Sequence, residues 1–346
     1  MKITAGALAA ILSVSLISCG GSSAGGGASE TVKLQGAGAS FPAPIYSKWF
    51  KNYSAAHPAV QIDYQSVGSG SGVKSFIDKT VDFGASDAAM TPEEIGRVDP
   101  ALGVQLLPMT AGSIVITYNV PGVKDLKLSR KAYSGIFLGT IKKWNDPIIA
   151  KDNPGVNLPD APINVVVRAD SSGTTFVFSQ HLSAISPDFA KSPGTSKMPN
   201  WPVGTRSKGN EGVTASVKTT PNSIGYIEYG YAKSQDMPMA ILENKSGVFV
   251  PASTASGQAA LASVQVPENL IVWVPDPEPK DAYPIVTYTW LLVNKKYDKS
   301  KAGVLRDLLK YGLSDGQKDA EPLGYIPMPA PVVQKVGAAI DTITAS

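Results

Sequence analysis

Cysteine occurs once in the 346 residues, at position 19, and histidine twice, at positions 57 and 181. A lone thiol excludes an internal disulfide framework. Two widely separated histidines leave no metal-ligand spacing. Charge is also scarce: Asp, Glu, Lys and Arg make up 17% of the chain, and the formal net charge is +3. That is too little positive charge to argue for nucleic-acid binding. No Gly-Lys-Ser/Thr closes a glycine run, so a Walker-type nucleotide loop is excluded. The uncharged run from Ile3 to Ile17 is too short and too rich in Ala, Gly and Ser to read as a spanning helix.

What is present suits a folded, exported chain. Apolar residues make up 43%, ample for real cores, and a length of 346 suggests two domains. Met1-Lys2 followed by the apolar run reads as a signal peptide over residues 1–18. It ends in Leu16-Ile17-Ser18-Cys19, which resembles the bacterial lipoprotein box. In that class the chain is cut before the cysteine and the thiol is lipidated, which gives a single unpaired cysteine a purpose. Residues 20–29 are only Gly, Ser and Ala, so residues 19–30 are expected to form a flexible tether to a membrane.

The organising stretch runs from Ile163 to Leu182. Ile163 to Val167 is a β-branched apolar run and reads as a buried strand. The polar turn Arg168-Ala-Asp170-Ser-Ser172-Gly173-Thr174 follows, and Phe176, Phe178 and Leu182 then fall at roughly helical spacing. A strand, a Ser/Gly turn and a helix leave backbone N–H groups facing one point. Ser171, Ser172 and Thr174 add hydroxyls, and Arg168 adds a fixed positive fork. The natural guest is a small oxyanion. The plainer alternative is that these residues only cap the helix.

Two more units of this kind come earlier. Val32 to Leu34, the glycine-rich turn Gly36 to Pro44, and the stripe Ile45, Trp49, Phe50 and Tyr53 make one, with Ser40 at the expected N-cap. Val60 to Tyr64, Gly68-Ser69-Gly70-Ser71-Gly72, and Val73, Phe76 and Ile77 make the other; its glycines are expected to bring backbone N–H groups near a ligand. Asp87, after the short strand at Val81, either caps the helix near Thr91 or is an acceptor among donors. An acceptor there suits an anion that carries a proton, such as hydrogen phosphate, and not sulfate.

Further on, Val104 to Leu107 and Ile114 to Tyr118 read as two strands around Thr110 to Ser113, whose small residues suit a crossing between domains. Residues 129–150 hold two short helices, with Phe137, Trp144 and Ile148 as core. Residues 186–212 show no convincing element, and a short helix is expected around Val213 to Val217. The long apolar stretch Tyr283 to Val293 reads as a strand crossing back, followed by helices around Leu305 and from Val332. Strands alternating with helices indicate an α/β architecture.

Several of these segments resemble the phosphate-binding protein of the bacterial phosphate-specific ABC transporter. They are Gly36 to Pro44, Gly68 to Lys74, Val81 to Asp87, Ile141-Lys-Lys-Trp-Asn145, Arg168 to Phe176, Lys208 to Gly212 and Ile224 to Tyr229. The resemblance implies a type II periplasmic-binding-protein fold, with each domain a mixed sheet flanked by helices and phosphate in the cleft between them. Residues 31–112 with 286–346 would form one domain and residues 113–285 the other. By motif position Ser40, Phe41, Ser69 and Asp87 would contact phosphate from the first domain, and Arg168, Ser172, Gly173 and Thr174 from the second. Asp87 would accept the phosphate proton and Asp170 would pair with Arg168. Ser40 departs from the commoner threonine, and Gly68-Ser-Gly-Ser-Gly72 shifts one glycine relative to the usual pattern.

The resemblance also implies no cofactor or metal, a monomer, and a transmembrane permease with its ATPase as partners. The rival readings are a phosphate-sensing lipoprotein, a binder of another oxyanion, and a phosphate-ester hydrolase using Ser172 or Ser69. The last lacks a nucleophile–base pair in the sequence: both histidines read as structural or solvent-facing.

Overall fold

The computed structural model describes residues 31–346, which form one compact unit. The expected signal peptide, Cys19 and the tether lie outside the described residues. Eight strands share one sheet: β1 Val32–Gly38, β2 Val60–Ser66, β3 Phe83–Ser86, β4 Gln105–Asn119, β5 Asn164–Arg168, β6 Thr205–Ser207, β7 Ser223–Glu228 and β8 Val286–Val293. Their spatial order is β2-β1-β3-β8-β4-β7-β5-β6. Strands β1, β2 and β3 are mutually parallel, as are β5, β6 and β7. The long strands β8 and β4 run antiparallel between these two groups.

Burial explains the strand sequences. Strand β2 is an edge and alternates, with Val60 buried and Gln61 and Asp63 exposed. Strand β8 is central and buried at every residue, which is why Val286 to Val293 reads as an unbroken apolar and aromatic run.

The chain crosses the sheet differently from the sequence-based expectation. Strand β4 is one continuous element, not two. Gln105 to Ser113 pair with β8, and Ile114 to Asn119 pair with β7, so the change of partner occurs between Ser113 and Ile114. The small residues at 110–113 do not break the strand. Gly112 instead leaves room for Phe41, whose ring would stand 2.9 Å from a Cβ added there. Pro108 lacks an N–H, and the register shifts beside it, where Thr289 faces Thr110 but Trp290 faces Pro108.

The helices that matter for the site are α1 Ala43–Ala56, α2 Ser69–Ile77, α3 Gly173–Ile185 and α4 Gly209–Thr219. Helix α1 buries the predicted stripe Ile45, Trp49, Phe50 and Tyr53 together with Tyr46. Its N-cap is Pro42 with no side-chain cap, so Ser40 does not cap it as expected. Helix α4 starts at Gly209, four residues before the expected start, and residues 186–212 hold a helix at Pro187–Lys191 as well as β6. In the helices of residues 129–150, Ile149 is buried and Ile148 only partly so, correcting the expected core position. The helix at Pro92–Gly96 is capped by Thr91 and Glu94 acting reciprocally, which frees Asp87 from that duty.

The glycines of the Gly68 to Gly72 run also act otherwise than expected. The Gly70 N–H is given to the Ser171 carbonyl at 2.9 Å and the Gly72 N–H to Gly68 within the helix. Gly72 is where α2 rests on the sheet. A Cβ there would lie 2.4 Å from Gly38 Cα and 2.7 Å from the Ala37 carbonyl. Both obstacles are backbone and cannot rotate away. Overpacking of this kind costs about 1–3 kcal/mol. Gly72→Ala is therefore expected to melt at a distinctly lower temperature than the parent, read by circular dichroism; an unchanged transition would mean that α2 does not rest on β1 as closely as described.

Candidate functional site

Three of the turns singled out from sequence converge at the C-terminal ends of β1, β3 and β5. Ser40 and Phe41 follow β1, Asp87 follows β3, and Arg168 ends β5 ahead of Ser172, Gly173 and Thr174 at the start of α3. Ser69 opens α2. Ser40, Phe41, Ser69, Asp87, Arg168, Ser172 and Thr174 are all nearly or wholly excluded from solvent.

Arg168 is the one buried guanidinium among the described residues. Its Nε donates to Asp170 Oδ1 at 2.9 Å and one terminal nitrogen donates to Asp170 Oδ2 at 2.6 Å. The other terminal nitrogen is buried and has no hydrogen-bond partner among the described residues. Burial raises the Asp170 pKa, but the hydrogen bonds and charge of Arg168 outweigh it and hold the carboxyl below its ordinary value. Asp170 Oδ1 also accepts the Gly209 N–H at 3.0 Å. The pair is thus fixed and internally neutral, with one terminal nitrogen of Arg168 unused.

The hydroxyls are arranged so that their lone pairs are occupied. Ser69 Oγ accepts the N–H of Gly173 at 3.0 Å and of Asp87 at 3.3 Å. Ser40 Oγ accepts both the backbone N–H and the side-chain amide of Asn210, at 3.0 and 2.9 Å. Ser172 Oγ caps α3 by accepting the Thr175 N–H at 3.0 Å. A serine oxygen has two lone pairs and one proton. Ser40 and Ser69, with both lone pairs engaged, can interact further only as donors. The Ser172 cap is the plain reading of that residue from sequence, and it still leaves the hydroxyl proton available.

Asp87 is the acceptor in this set. Its Oδ1 accepts the Thr289 hydroxyl at 2.8 Å, and its Oδ2 lies 3.3 Å from the Thr174 hydroxyl. Burial pushes its pKa from an ordinary 3.8 to about 7, against the lowering effects of Thr289, Arg168 and Thr174. Glu228 at the end of β7 is wholly buried too. Its pKa is raised well above the ordinary value by burial, with the Asp87 charge adding to the rise.

Asn210 and Thr289 were not among the residues picked from sequence. Asn210 joins the two sides of the site. Its amide also donates to Thr174 Oγ1 at 3.1 Å, and its Oδ1 accepts the Glu228 N–H at 2.9 Å. The only signal was its place inside Lys208 to Gly212. Thr289 lies within a strand whose apolar pattern hid it. Of the expected residues, Phe41 brings its backbone: its carbonyl accepts the Tyr325 hydroxyl at 2.7 Å. Neither histidine joins the site. His181 is buried between the Tyr133 hydroxyl and the Pro275 carbonyl, and His57 stacks on Tyr53.

Comparison with known proteins bears on the family and the fold. Residues 23–316 match the model of a PBP superfamily domain. The chain is 41% identical over 312 residues to the phosphate-binding protein PstS of Pasteurella multocida, covering 88% of this chain and 89% of that one. It is 38% identical over 369 residues to the phosphate-binding protein PstS of Methanocaldococcus jannaschii, covering 97% and 94%. Among solved structures, a high-affinity periplasmic phosphate-binding protein (PfluDING) bound with phosphate superposes with a TM-score of 0.73 at 20% identity, covering 89% of this chain and 93% of that one. That likeness shows a shared fold, the type II periplasmic-binding architecture.

The buried carboxyl has a measurable consequence for the apoprotein. Unfolded Asp87 loses its proton near its ordinary pKa of 3.8, folded Asp87 only near 7. Between these values the folded chain holds more protons, so the contribution of Asp87 to stability falls as pH rises from about 4 to about 7 and is flat above. Removing the ionisable group should lift that penalty, on the order of a few kcal/mol at neutral pH. In anion-free buffer Asp87→Asn is expected to melt above the parent at about pH 8 and close to it at about pH 4. Equal melting temperatures at both pH values would show that the carboxyl is not desolvated.

Proposed function

Because the chain belongs to the family of the phosphate-binding protein PstS, within the periplasmic-binding-protein superfamily, we propose that it binds inorganic phosphate with high affinity outside the cytoplasmic membrane and delivers it to an ABC permease. The observation that carries the reading from this chain's own geometry is the buried, unpartnered guanidinium nitrogen of Arg168 beside a buried carboxyl, Asp87, whose pKa is near neutrality. The first asks for an acceptor. The second, in its ionised form, asks for a partner that carries a proton. Hydrogen phosphate answers both, and sulfate only the first.

In this reading phosphate is held by donors: Arg168, the hydroxyls of Ser40, Ser69 and Ser172, the Thr174 hydroxyl once it turns from Asp87 to the ligand, and backbone N–H groups at Phe41 and in the first turn of α3 beyond Gly173, whose own N–H is given to Ser69. Asp87 accepts the remaining phosphate proton. Asp170 already neutralises Arg168, so the anion is held by aimed hydrogen bonds rather than net charge. Such bonds to a charged group contribute about 1.5–3 kcal/mol each. Residues 31–112 with 286–346 form one domain and residues 113–285 the other, with β4 and β8 as the two crossings. Opening and closing about them admits the ligand. The chain acts as a monomer with no metal or cofactor, and the permease and its ATPase are its partners. A hydrolase would need a base hydrogen-bonded to Ser172 or Ser69, whereas the Asp87 carboxyl is engaged by Thr289 and Thr174, and His181 and His57 are engaged elsewhere.

The decisive measurement is calorimetric titration of phosphate-stripped protein with phosphate, repeated in excess sulfate. Tight one-to-one binding that sulfate does not reduce is expected. A site built around one substrate O–H can reject the analogue lacking it by roughly 10⁴–10⁵. Asp87→Asn should bring phosphate and sulfate closer together. Sulfate competing equally with phosphate in the parent would overturn the ligand assignment.

We further propose that the mature chain is lipidated on Cys19 and so held at the membrane surface. Among the described residues no helix is long and apolar enough to cross a membrane, and Leu16-Ile17-Ser18-Cys19 resembles the lipoprotein box. Cys19→Ala is expected to move the protein from the membrane fraction to the soluble extract without changing its phosphate affinity. Retention in the membrane fraction would refute a lipid anchor at this residue.

A further inference from the structure

The two oxygens of Asp87 face different parts of the chain. Oδ2 is on the side of Thr174 and the start of α3, where the ligand donors gather. Oδ1 faces the sheet and accepts the Thr289 hydroxyl, 202 residues later in sequence. Thr289 is wholly buried on β8. Its cross-strand partner is Thr110 on β4, directly beside the register shift at Thr289 and Trp290. A β-branched side chain has a stiff χ1, and here its backbone lies in a central strand buried at every residue. The hydroxyl therefore reaches Asp87 from a fixed mount.

We propose that Thr289 is a positioning residue for anion selection: by donating to Oδ1 it holds Asp87 in one orientation and reserves Oδ2 as the lone-pair acceptor for the proton of the ligand. The proposal rests on the phosphate reading above. It assigns the selectivity of the site to a side chain that needs no contact with the ligand.

Several other groups act on Asp87 and set the background. Tyr46 on α1 has a buried hydroxyl whose pKa is raised by burial and by the Asp87 charge, against the lowering effect of the nearby Thr289 hydroxyl. Thr110 has a buried hydroxyl without a partner on β4. Ser69 on α2 engages the Asp87 backbone and not its carboxyl. Arg168 at the end of β5 favours the charged carboxylate, and Asp170 opposes it. Glu228 at the end of β7 is wholly buried, and the Asp87 charge adds to the rise that burial causes in its pKa. Tyr64 on β2, Tyr231 and Tyr325 are phenols whose pKa values are raised, so they carry no charge near neutrality. Thr289 is thus the shortest hydrogen bond to the carboxyl and the strongest single influence toward ionisation. A donor to the charged form favours that form. Without it Asp87 keeps its proton to higher pH. A protonated Asp87 donates to an anion oxygen, so it accepts sulfate and meets hydrogen phosphate proton against proton.

The test compares the parent with Thr289→Val, Thr289→Ala and Thr289→Ser, each stripped of phosphate. Affinities for phosphate and sulfate are measured between about pH 6 and pH 9, a range that brackets the Asp87 titration. Loss of one hydrogen bond to a charged group is expected to lower the phosphate-to-sulfate affinity ratio at about pH 7 by about tenfold or more in the Val and Ala variants. The ratio should recover toward the parental value as pH rises. Thr289→Ser restores the donor and should keep the parental ratio and pH profile. A residue with a packing role alone would weaken both anions together and leave the ratio unchanged. Parental ratios and profiles in folded Val or Ala variants would overturn the proposal. A parent that fails to bind phosphate at all would refute the underlying reading instead, so the two failures are distinguishable.

Discussion

A carboxylate wholly removed from water must find donors close by or give up its charge, and Asp87 is placed where the chain can supply them from two directions. Thr289 comes from the central strand β8 and Thr174 from the first turn of α3. Its own backbone N–H is tied to Ser69 at the start of α2. The segments involved are far apart in sequence and meet only because β8 lies between β3 and β4 in the sheet. The antiparallel return strand is thus more than a connection. It sets the floor on which the site is built, and its register beside Pro108 fixes which side chain points at the acid.

The second constraint is electrostatic. A buried guanidinium would attract any anion, but Asp170 neutralises Arg168 through two hydrogen bonds and leaves one terminal nitrogen open. Charge attraction alone would then discriminate poorly between anions of similar size. Direction discriminates better. Ser40 and Ser69 have their lone pairs filled by N–H donors, so each presents only a proton. Against that set Asp87 presents a lone pair. A tetrahedral anion with one proton fits a site with several donors and one acceptor, and an unprotonated one leaves two acceptors facing each other.

Much of this was legible in the sequence, for a physical reason. Turns that follow buried strands and open helices leave a local signature: a β-branched run, a Ser/Gly turn, then an apolar stripe. Val165 to Val167 with Ser172 and Gly173 shows it fully. What stayed hidden was non-local. Thr289 sits inside Val286 to Val293, where every residue is buried, and pattern alone cannot separate a working hydroxyl from a packed one. Asn210 starts a helix whose first residues carry no apolar spacing, so the expected start fell at Val213. The unity of β4 was missed because small residues at 110–113 look like a break, whereas their smallness admits the Phe41 ring. The glycines of Gly68 to Gly72 were read as ligand-facing. Gly70 and Gly72 serve packing against Ser171 and β1.

Close approach explains the remaining glycine. Gly173 opens α3 with its N–H on Ser69, and a Cβ there would lie 2.5 Å from Ser69 Oγ and 2.7 Å from the Asp87 backbone N–H and Cβ. Gly70 stands in the same relation to Ser171, at 2.1 Å. At both points the N-terminus of one helix is pressed against the turn that opens another. An added methyl at Gly173 would separate the Arg168 turn from the Asp87 turn, and one at Gly70 would press the same turn away from α2. Hydrogen bonds weaken steeply with distance and misalignment, so even a small separation would spoil the aim of every donor at once. The steric demand for glycine and the electrostatic demand for a single acceptor are therefore one requirement: the donors of α2 and α3 and the carboxyl of Asp87 can choose an anion together only if nothing larger than hydrogen stands between the two turns.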